Sequence, residues 1–109
     1  MAYDETLAER IRAVLADRDD VTERRMFGGI AFMAHGNMCC GVSGENLMVR
    51  LGEDAADAAL DERGARPMDF TGRPMKGYAF VGAEGTSTDA ALRSWIERTL
   101  AFADTLPAK

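Results

Sequence analysis

The residues of this chain that could do chemistry are few, and they lie in one short stretch. The single histidine, His35, comes just before the only two cysteines, Cys39 and Cys40. A thiol or serine enzyme needs a base beside its nucleophile, and here that base would have to be His35 in a predicted hairpin turn. Because turns are rich in polar residues, we interpret His35 as a turn residue. We therefore predict no catalytic residues and no enzymatic activity.

The same residues do not favour a metal site. Structural zinc usually has four ligands, and His35, Cys39 and Cys40 supply three at most. Adjacent residues of a strand point to opposite faces, so the two thiols are expected to diverge. A disulfide between sequence neighbours would need strained geometry. We predict reduced thiols, as in a cytoplasmic protein, with no bound metal and no cofactor.

Cys39 also has an alternative interpretation. In the register predicted below, Cys39 lies on the same sheet face as Arg50, and a nearby cation lowers the pKa of a thiol by stabilising the thiolate. An exposed Cys39 would then be a redox-sensitive thiol, or the centre of a thiol-dependent enzyme or small-molecule binder. We favour the interpretation that both cysteines pack as small hydrophobic residues, since free cysteine is among the most buried residue types.

Length, charge and hydropathy indicate one small folded domain. A chain of 109 residues can bury one hydrophobic core but not two, so we predict a single domain over residues 1–109. Its net charge of −5 disfavours direct binding to nucleic acid, because such binding depends on Lys and Arg displacing counterions. It has no apolar run of about 18 residues and no signal-peptide pattern at its acidic start. We predict a cytoplasmic protein that does not contact membranes.

The stretch Arg25–Leu51 contains the predicted sheet. Its apolar residues are separated by three clusters of turn residues, which is the pattern of a meander of four short antiparallel strands. With turns at Gly36-Asn37 and Ser43–Asn46, the directly paired residues would be Ala34 with Cys39, Phe32 with Gly41, Val42 with Leu47 and Cys40 with Val49.

Paired residues share a face of a sheet, so this register predicts the two faces. The predicted core face holds Ala31, Met33, Met38, Cys40, Val42, Leu47, Val49 and Leu51. The second face holds Ile30, Phe32, Ala34, Cys39, Gly41, Met48 and Arg50. This second face is thinner and carries a charge, so we expect a helix or another protein to cover part of it.

Three helices complete the predicted fold. Apolar residues recur at helical spacing over Asp4–Arg18 and over Leu92–Ala103, where Trp95 is the expected core anchor. The alanine-rich segment Asp54–Arg63 predicts a short helix between them.

One later strand is also predicted. Because it contains two X-Pro steps, Ala65–Lys76 is expected to be extended and irregular. The alternating pattern of Lys76–Val81 predicts a fifth strand. The sequence therefore predicts an α+β domain in the order α-β-β-β-β-α-β-α. The first and last helices are expected to cover the core face of a small antiparallel sheet.

Three motifs resemble those of a known family. The segments Arg25–Gly29 (RMFGG), Phe32–Met38 and Gly72–Tyr78 (GRPMKGY) look like the N-terminal domain of the TfoX/Sxy family, and the likeness spans roughly residues 3–103. Better-known members regulate natural competence in bacteria and are thought to assist the cyclic-AMP receptor protein at competence promoters. They carry a second, C-terminal domain, so we expect here a stand-alone first domain. The resemblance implies a non-enzymatic regulator that acts through protein contacts.

The leading prediction is therefore a regulatory or protein-interaction module whose partner is a transcription regulator. A homodimer through the second face or an exposed strand edge is a further expectation. The predicted partner contacts are Arg25, Phe32, Met48 and Arg50. The alternative function is a nucleic-acid-binding module, whose basic patch would be formed by Arg24, Arg25, Arg66, Arg73 and Lys76.

Overall fold

The computed structural model describes residues 3–26, 29–70 and 73–107, and the side chains of these ranges other than those of residues 26, 68–70 and 73–75. Its elements in chain order are α1 (Glu5–Leu15), β1 (Val21–Met26), β2 (Gly29–Ala34), β3 (Asn37–Ser43), β4 (Asn46–Arg50), α2 (Glu53–Ala59), β5 (Ala65–Phe70), β6 (Arg73–Val81) and α3 (Asp89–Ala103), with a 3-10 turn at Ala83–Gly85 before α3. The predicted α+β class is confirmed, and so is the predicted succession of helices and sheet segments.

The strands form one six-stranded antiparallel sheet in the order β1-β2-β3-β4-β6-β5. The structure corrects one detail, because the segment expected to be irregular contains β5, which pairs with β6. Pro67 lies within β5. An edge strand tolerates proline because one side of the strand needs no ladder donors. The Arg66-Pro67 step therefore lies in an edge strand, whereas Arg73-Pro74 begins β6, the strand next to it.

The turn between β2 and β3 differs from the predicted one. His35 and Gly36 occupy it with positive φ angles of 38° and 88°, as a type I′ turn requires, and Ala34 pairs with Asn37. The ladder then shifts, so that Met38 pairs with Met33 and Cys40 pairs with Phe32. Cys39 is the extra residue of a β-bulge. The β3–β4 register is as predicted, with Val42 opposite Leu47 and Cys40 opposite Val49.

This change of register reverses the two faces of β2. The face under the helices carries Ile30, Phe32, Ala34, Cys39, Cys40, Val42, Leu47, Val49, Leu51, Ala79 and Val81, all within one core cluster. The predicted core positions of Ala31, Met33 and Met38 were wrong, because a slip of one residue moves every side chain of a strand to the other face. The other side of the sheet carries Met48 with its pairing partners Gly41 and Phe80.

All three helices contribute to the core on the same side of the sheet. The buried helical residues are Leu7, Ala8, Ile11 and Leu15 of α1, Ala56 and Ala59 of α2, and Leu92, Trp95, Ile96, Thr99 and Ala103 of α3. The carboxylate of Asp4 accepts from the Leu7 amide at 3.1 Å, and the Thr88 hydroxyl accepts from the Ala91 amide at 3.0 Å. These two N-caps satisfy amides that would otherwise be unpaired.

Trp95 is the core anchor of α3, as predicted, and is 3% exposed. Its indole N–H donates to the Gly85 carbonyl at 3.2 Å, and the Arg98 guanidinium lies 4.2 Å from the ring centroid. In the described part of the chain, no helix has both the length and the apolar character needed to cross a bilayer.

Candidate functional site

Two of the predicted partner contacts are buried. Phe32 is 1% exposed and faces the helices, and Met48 is 0% exposed. Met48 lies over Gly41, since its Cε is 2.6 Å from the position that a β-carbon on Gly41 would occupy. The expectation that Phe32 and Met48 are available to a partner is therefore wrong, and its cause is the reversed face of β2 together with the close packing of Met48 on β3.

The other two predicted contacts are accessible but lie apart. Arg25 is exposed on the edge strand β1, and Arg50 is half-buried at the end of β4. In the sheet order these strands are three positions apart, roughly 14 Å at the usual strand spacing. Arg50 is the residue of this set around which a site is built.

The predicted basic patch is divided between two edges of the sheet. Arg24 and Arg25 are exposed on β1, Arg66 is exposed on β5 and Lys76 is exposed on β6. Arg73 begins β6, but its side chain lies outside the described residues. Because β1 and β5 are opposite edges, roughly 24 Å apart at ordinary strand spacing, these side chains do not form one continuous patch.

The two thiols lie together in the core. The bulge turns both side chains to the helix side, where their Sγ atoms are 3.8 Å apart and both residues are 0% exposed. Contact with the Cys39 thiol, together with complete burial, raises the pKa of Cys40 well above its ordinary value. Cys39 is thus not exposed beside Arg50, and our expectation that the two thiols diverge was wrong. The interpretation of both as small buried residues is confirmed.

The guanidinium of Arg50 lies close to two aromatic rings. Its Cζ is 5.7 Å from the centroid of Tyr78 on β6 and 5.5 Å from that of Phe102 on α3. Both distances are within the range of cation–π attraction. Among the described residues, its one hydrogen bond is a long one, from Nη1 to the Met38 carbonyl at 3.4 Å. The rings therefore orient a cation that has no carboxylate partner within the described part of the chain.

A cleft of about 410 Å³ opens beside this guanidinium, and we call it the Arg50 cleft. Its lining consists of Arg50, Gly52, Glu53, Asp54, Lys76, Gly77, Tyr78 and Phe102. The amides of Leu51 and Gly52 both donate to the Gly77 carbonyl, at 2.8 and 3.2 Å, which joins the end of β4 to β6. The two glycines have positive φ angles of 88° and 86°, which glycine adopts without steric cost.

The cleft presents both signs of charge next to aromatic surface. Lys76 is exposed on β6, while Glu53 and Asp54 form the acidic first turn of α2. No ion pair involving these three side chains or Arg50 occurs among the described residues. An arginine fork beside aromatic rings can bind a carboxylate and an apolar group together. Among the described residues the lining contains no histidine, cysteine or serine.

Most of this cleft was not predicted from the sequence. Arg50 was singled out, but Tyr78, Phe102 and the two glycines come together only through the pairing of β4 with β6 and the packing of α3. One sequence signal could have found Phe102, because it is an aromatic residue outside the apolar stripe that buries Trp95 and Ala103.

A family model described as the TfoX N-terminal domain matches residues 13–103 of the chain. The matched range includes every residue of the Arg50 cleft. Phe27 and Gly28 of the first sequence motif, and Gly72 of the last, lie outside the described residues. No curated protein and no solved structure matches the chain.

Proposed function

Because the chain belongs to the TfoX N-terminal domain family, we propose that it is a non-enzymatic regulatory module that binds a protein partner through the Arg50 cleft. The partner class that we propose is a cytoplasmic transcription regulator, as the resemblance to competence regulators implies. Family membership supports the regulatory role, and the geometry of the cleft supports the contact surface.

The observation that carries this proposal is the position of Arg50. A half-buried guanidinium is normally paired with a carboxylate, since removing its charge from water is costly. Here the described residues supply two aromatic rings and one long hydrogen bond to a carbonyl oxygen instead. Arginine and aromatic residues are also the types that most often dominate binding energy at protein interfaces. A carboxylate from a partner would complete the coordination of Arg50.

The remaining reactive groups of the chain favour recognition over catalysis. Cys39 and Cys40 are enclosed in the core, and the only histidine is held by hydrogen bonds to Asp20 and to the end of α3. A nucleophile and a base within hydrogen-bond reach of each other, open to a substrate, would be needed for covalent catalysis. These placements support the proposal of a module without enzymatic activity.

The proposal can be tested by calorimetric titration of the purified chain with the cyclic-AMP receptor protein of its own organism, and separately with RNA polymerase. We expect Arg50→Ala to weaken binding by at least about tenfold, as for an interface hot spot, with the folded far-UV spectrum retained. Arg93→Ala is the matched control, because Arg93 is exposed on α3 and does not line the cleft.

Three outcomes would contradict parts of the proposal. Equal losses of affinity in Arg50→Ala and Arg93→Ala would show that the cleft is not part of the interface. Absence of binding by the native chain to either protein would refute both as its partners. Binding of a promoter fragment alone, with an affinity that falls steeply with salt, would favour the nucleic-acid-binding alternative.

A further inference from the structure

The only histidine ties the β2–β3 turn to the C-terminal end of α3. His35 Nδ1 lies 3.1 Å from Asp20 Oδ2, and Nε2 lies 3.0 Å from the Ala103 carbonyl oxygen. A carboxylate and a carbonyl can only accept hydrogen bonds, so both contacts form together only when both ring nitrogens carry a proton. The geometry at His35 is therefore that of an imidazolium.

The charges around His35 favour the same state. Arg18 Nη2 contacts Asp20 Oδ2 at 2.7 Å and Asp104 Oδ1 at 2.9 Å, and Asp104 Oδ1 is 3.9 Å from His35 Nδ1. These are the charged groups that face the ring from the α1–β1 segment and from α3 in the described structure. Two carboxylates and one guanidinium leave one negative charge, which a protonated His35 balances. The negative end of the α3 dipole adds to this attraction.

The pKa of His35 shifts in the direction that this geometry predicts. The hydrogen bond to Asp20, followed by the one to the Ala103 carbonyl, raises the pKa of His35 above its ordinary value. Asp20, His35 and Asp104 are also residue types that bind metals, with ligand atoms within 4.8 Å of one another. Because Arg18 already binds both carboxylates and both ring nitrogens have acceptors, we interpret the cluster as a proton site.

The segment that His35 holds is part of the Arg50 cleft. Ala103, whose carbonyl faces the imidazole, directly follows Phe102, whose ring stacks on Arg50. A second polar contact holds the same segment, since the buried Asn37 donates from Nδ2 to the Pro107 carbonyl at 2.8 Å. The β2–β3 hairpin thus holds the end of α3 at Ala103 and the segment after it at Pro107, and the first of these contacts depends on a proton.

We propose that His35 is a proton-dependent clasp that regulates the Arg50 cleft by holding the last turn of α3, and with it Phe102, in place. The regulatory consequence rests on the proposed function of the cleft, whereas the clasp itself is a property of the free chain. The sign follows from the raised pKa. The stabilisation by His35 is complete below its pKa in the unfolded chain, about 6.5, and is lost as the pH rises through its pKa in the folded chain. The cleft is therefore held most firmly at mildly acidic pH, below about 6.5.

The clasp can be tested by NMR on the isotopically labelled full chain between pH 5.5 and pH 9. We expect the His35 ring, the Phe102 ring and the amides of Asp104, Thr105 and Leu106 to titrate with one shared midpoint above about 6.5. We expect hydrogen-exchange protection of those amides, corrected for intrinsic exchange, to fall about two- to fivefold across that midpoint. This is the size expected for removing a cation from a helix C-terminus.

Two variants separate the clasp from other effects of pH. His35→Asn keeps a residue type that tolerates positive φ but has no titrating ring, so the α3 amides should lose their pH dependence. Asp20→Asn should move the His35 midpoint down toward the ordinary value. A native His35 midpoint at or below about 6.5, or α3 amides that ignore the His35 titration, would overturn the clasp. If His35→Asn does not fold, the native titration decides alone.

No partner is used in these measurements. A failed clasp therefore leaves the proposed binding function standing, and a failed partner titration leaves the clasp standing.

Discussion

The ring of Phe102 lies against Gly52, with Cε1 2.9 Å from the position that a β-carbon on Gly52 would occupy. This contact joins α3 to Gly52, which lies two residues after the end of β4. It closes one side of the Arg50 cleft. Gly52 has φ 88° and ψ 158°, a backbone conformation open essentially to glycine alone. The cleft therefore requires glycine at position 52, both for its backbone and for the space beside Phe102.

Gly52→Ala is expected to destabilise the domain by about 1–3 kcal/mol from backbone strain and to displace the Phe102 ring. Gly44→Ala is the matched control, since Gly44 has φ 59° but no atom within 4 Å of its β-carbon position. Urea unfolding gives the two stabilities, and NMR reports the Phe102 ring shifts. We expect Phe102 to shift only in Gly52→Ala; unchanged ring shifts in both variants would show that Gly52 does not position Phe102.

Phe32→Ala is expected to lower the free energy of unfolding by about 3–5 kcal/mol, because it removes a large, fully buried side chain under the helices. Thr22→Ala on the exposed side of β1 should cost no more than about 1 kcal/mol. Equilibrium urea denaturation compares the two variants. A loss for Phe32→Ala as small as that of the control would mean that β2 presents its other face to the core.

Cys39 and Cys40 are expected to resist modification in the native chain, because both are fully buried. Ellman's reagent should react with neither thiol on the timescale of its reaction with glutathione, and with both in concentrated urea. Ser94→Cys places a thiol at an exposed position of α3 and serves as the positive control. Rapid reaction of a native thiol would restore Cys39 as a redox-sensitive residue.

The acid side of the stability curve depends on Asp20. Hydrogen bonds from Arg18, and then from His35, hold the pKa of Asp20 well below its ordinary value. Because its pKa is lowered, Asp20 stabilises the fold at pH values above its pKa in the unfolded chain, about 3.9. That stability is lost as the pH falls through the pKa of Asp20 in the folded chain. Between pH 2 and pH 6, the destabilisation caused by Asp20→Asn should therefore shrink as the solution becomes more acidic.

The neighbouring substitution Asp19→Asn is the control for this acid dependence, because Asp19 is exposed and takes part in no ion pair within the described residues. Its effect on the free energy of unfolding should be small and flat over the same pH range. If the two variants gave parallel curves, Asp20 would not be the source of the acid sensitivity.

The β3–β4 hairpin could be predicted because its alternation ends in a polar turn, which fixes Val42 opposite Leu47. The β2–β3 hairpin could not, for two physical reasons. A histidine at positive φ is uncommon, so the glycine at position 36 suggested a turn one residue later. The bulge at Cys39 falls in a run without polar residues, so nothing in the pattern of apolar residues marks the extra position.

The candidate site was predictable only at Arg50, the one charged residue of β4. Tyr78 and Phe102 approach Arg50 through pairing and packing between distant parts of the chain, which periodicity does not report. The His35 clasp was even harder to predict from the sequence. His35 was recognised as a turn residue, but its partners, Asp20 and the Ala103 carbonyl, come from the α1–β1 segment and from the end of a helix.

Trp95 gives the chain its own optical reporter. It is the sole tryptophan, enclosed at the middle of α3, and seven residues along the helix, about 10 Å, separate it from Phe102. Its fluorescence therefore senses whether the helical layer stays closed over the sheet, while events at the far end of α3 leave its emission nearly untouched. Trp95 fluorescence can thus distinguish global unfolding from local unfolding of the last turn of α3 alone.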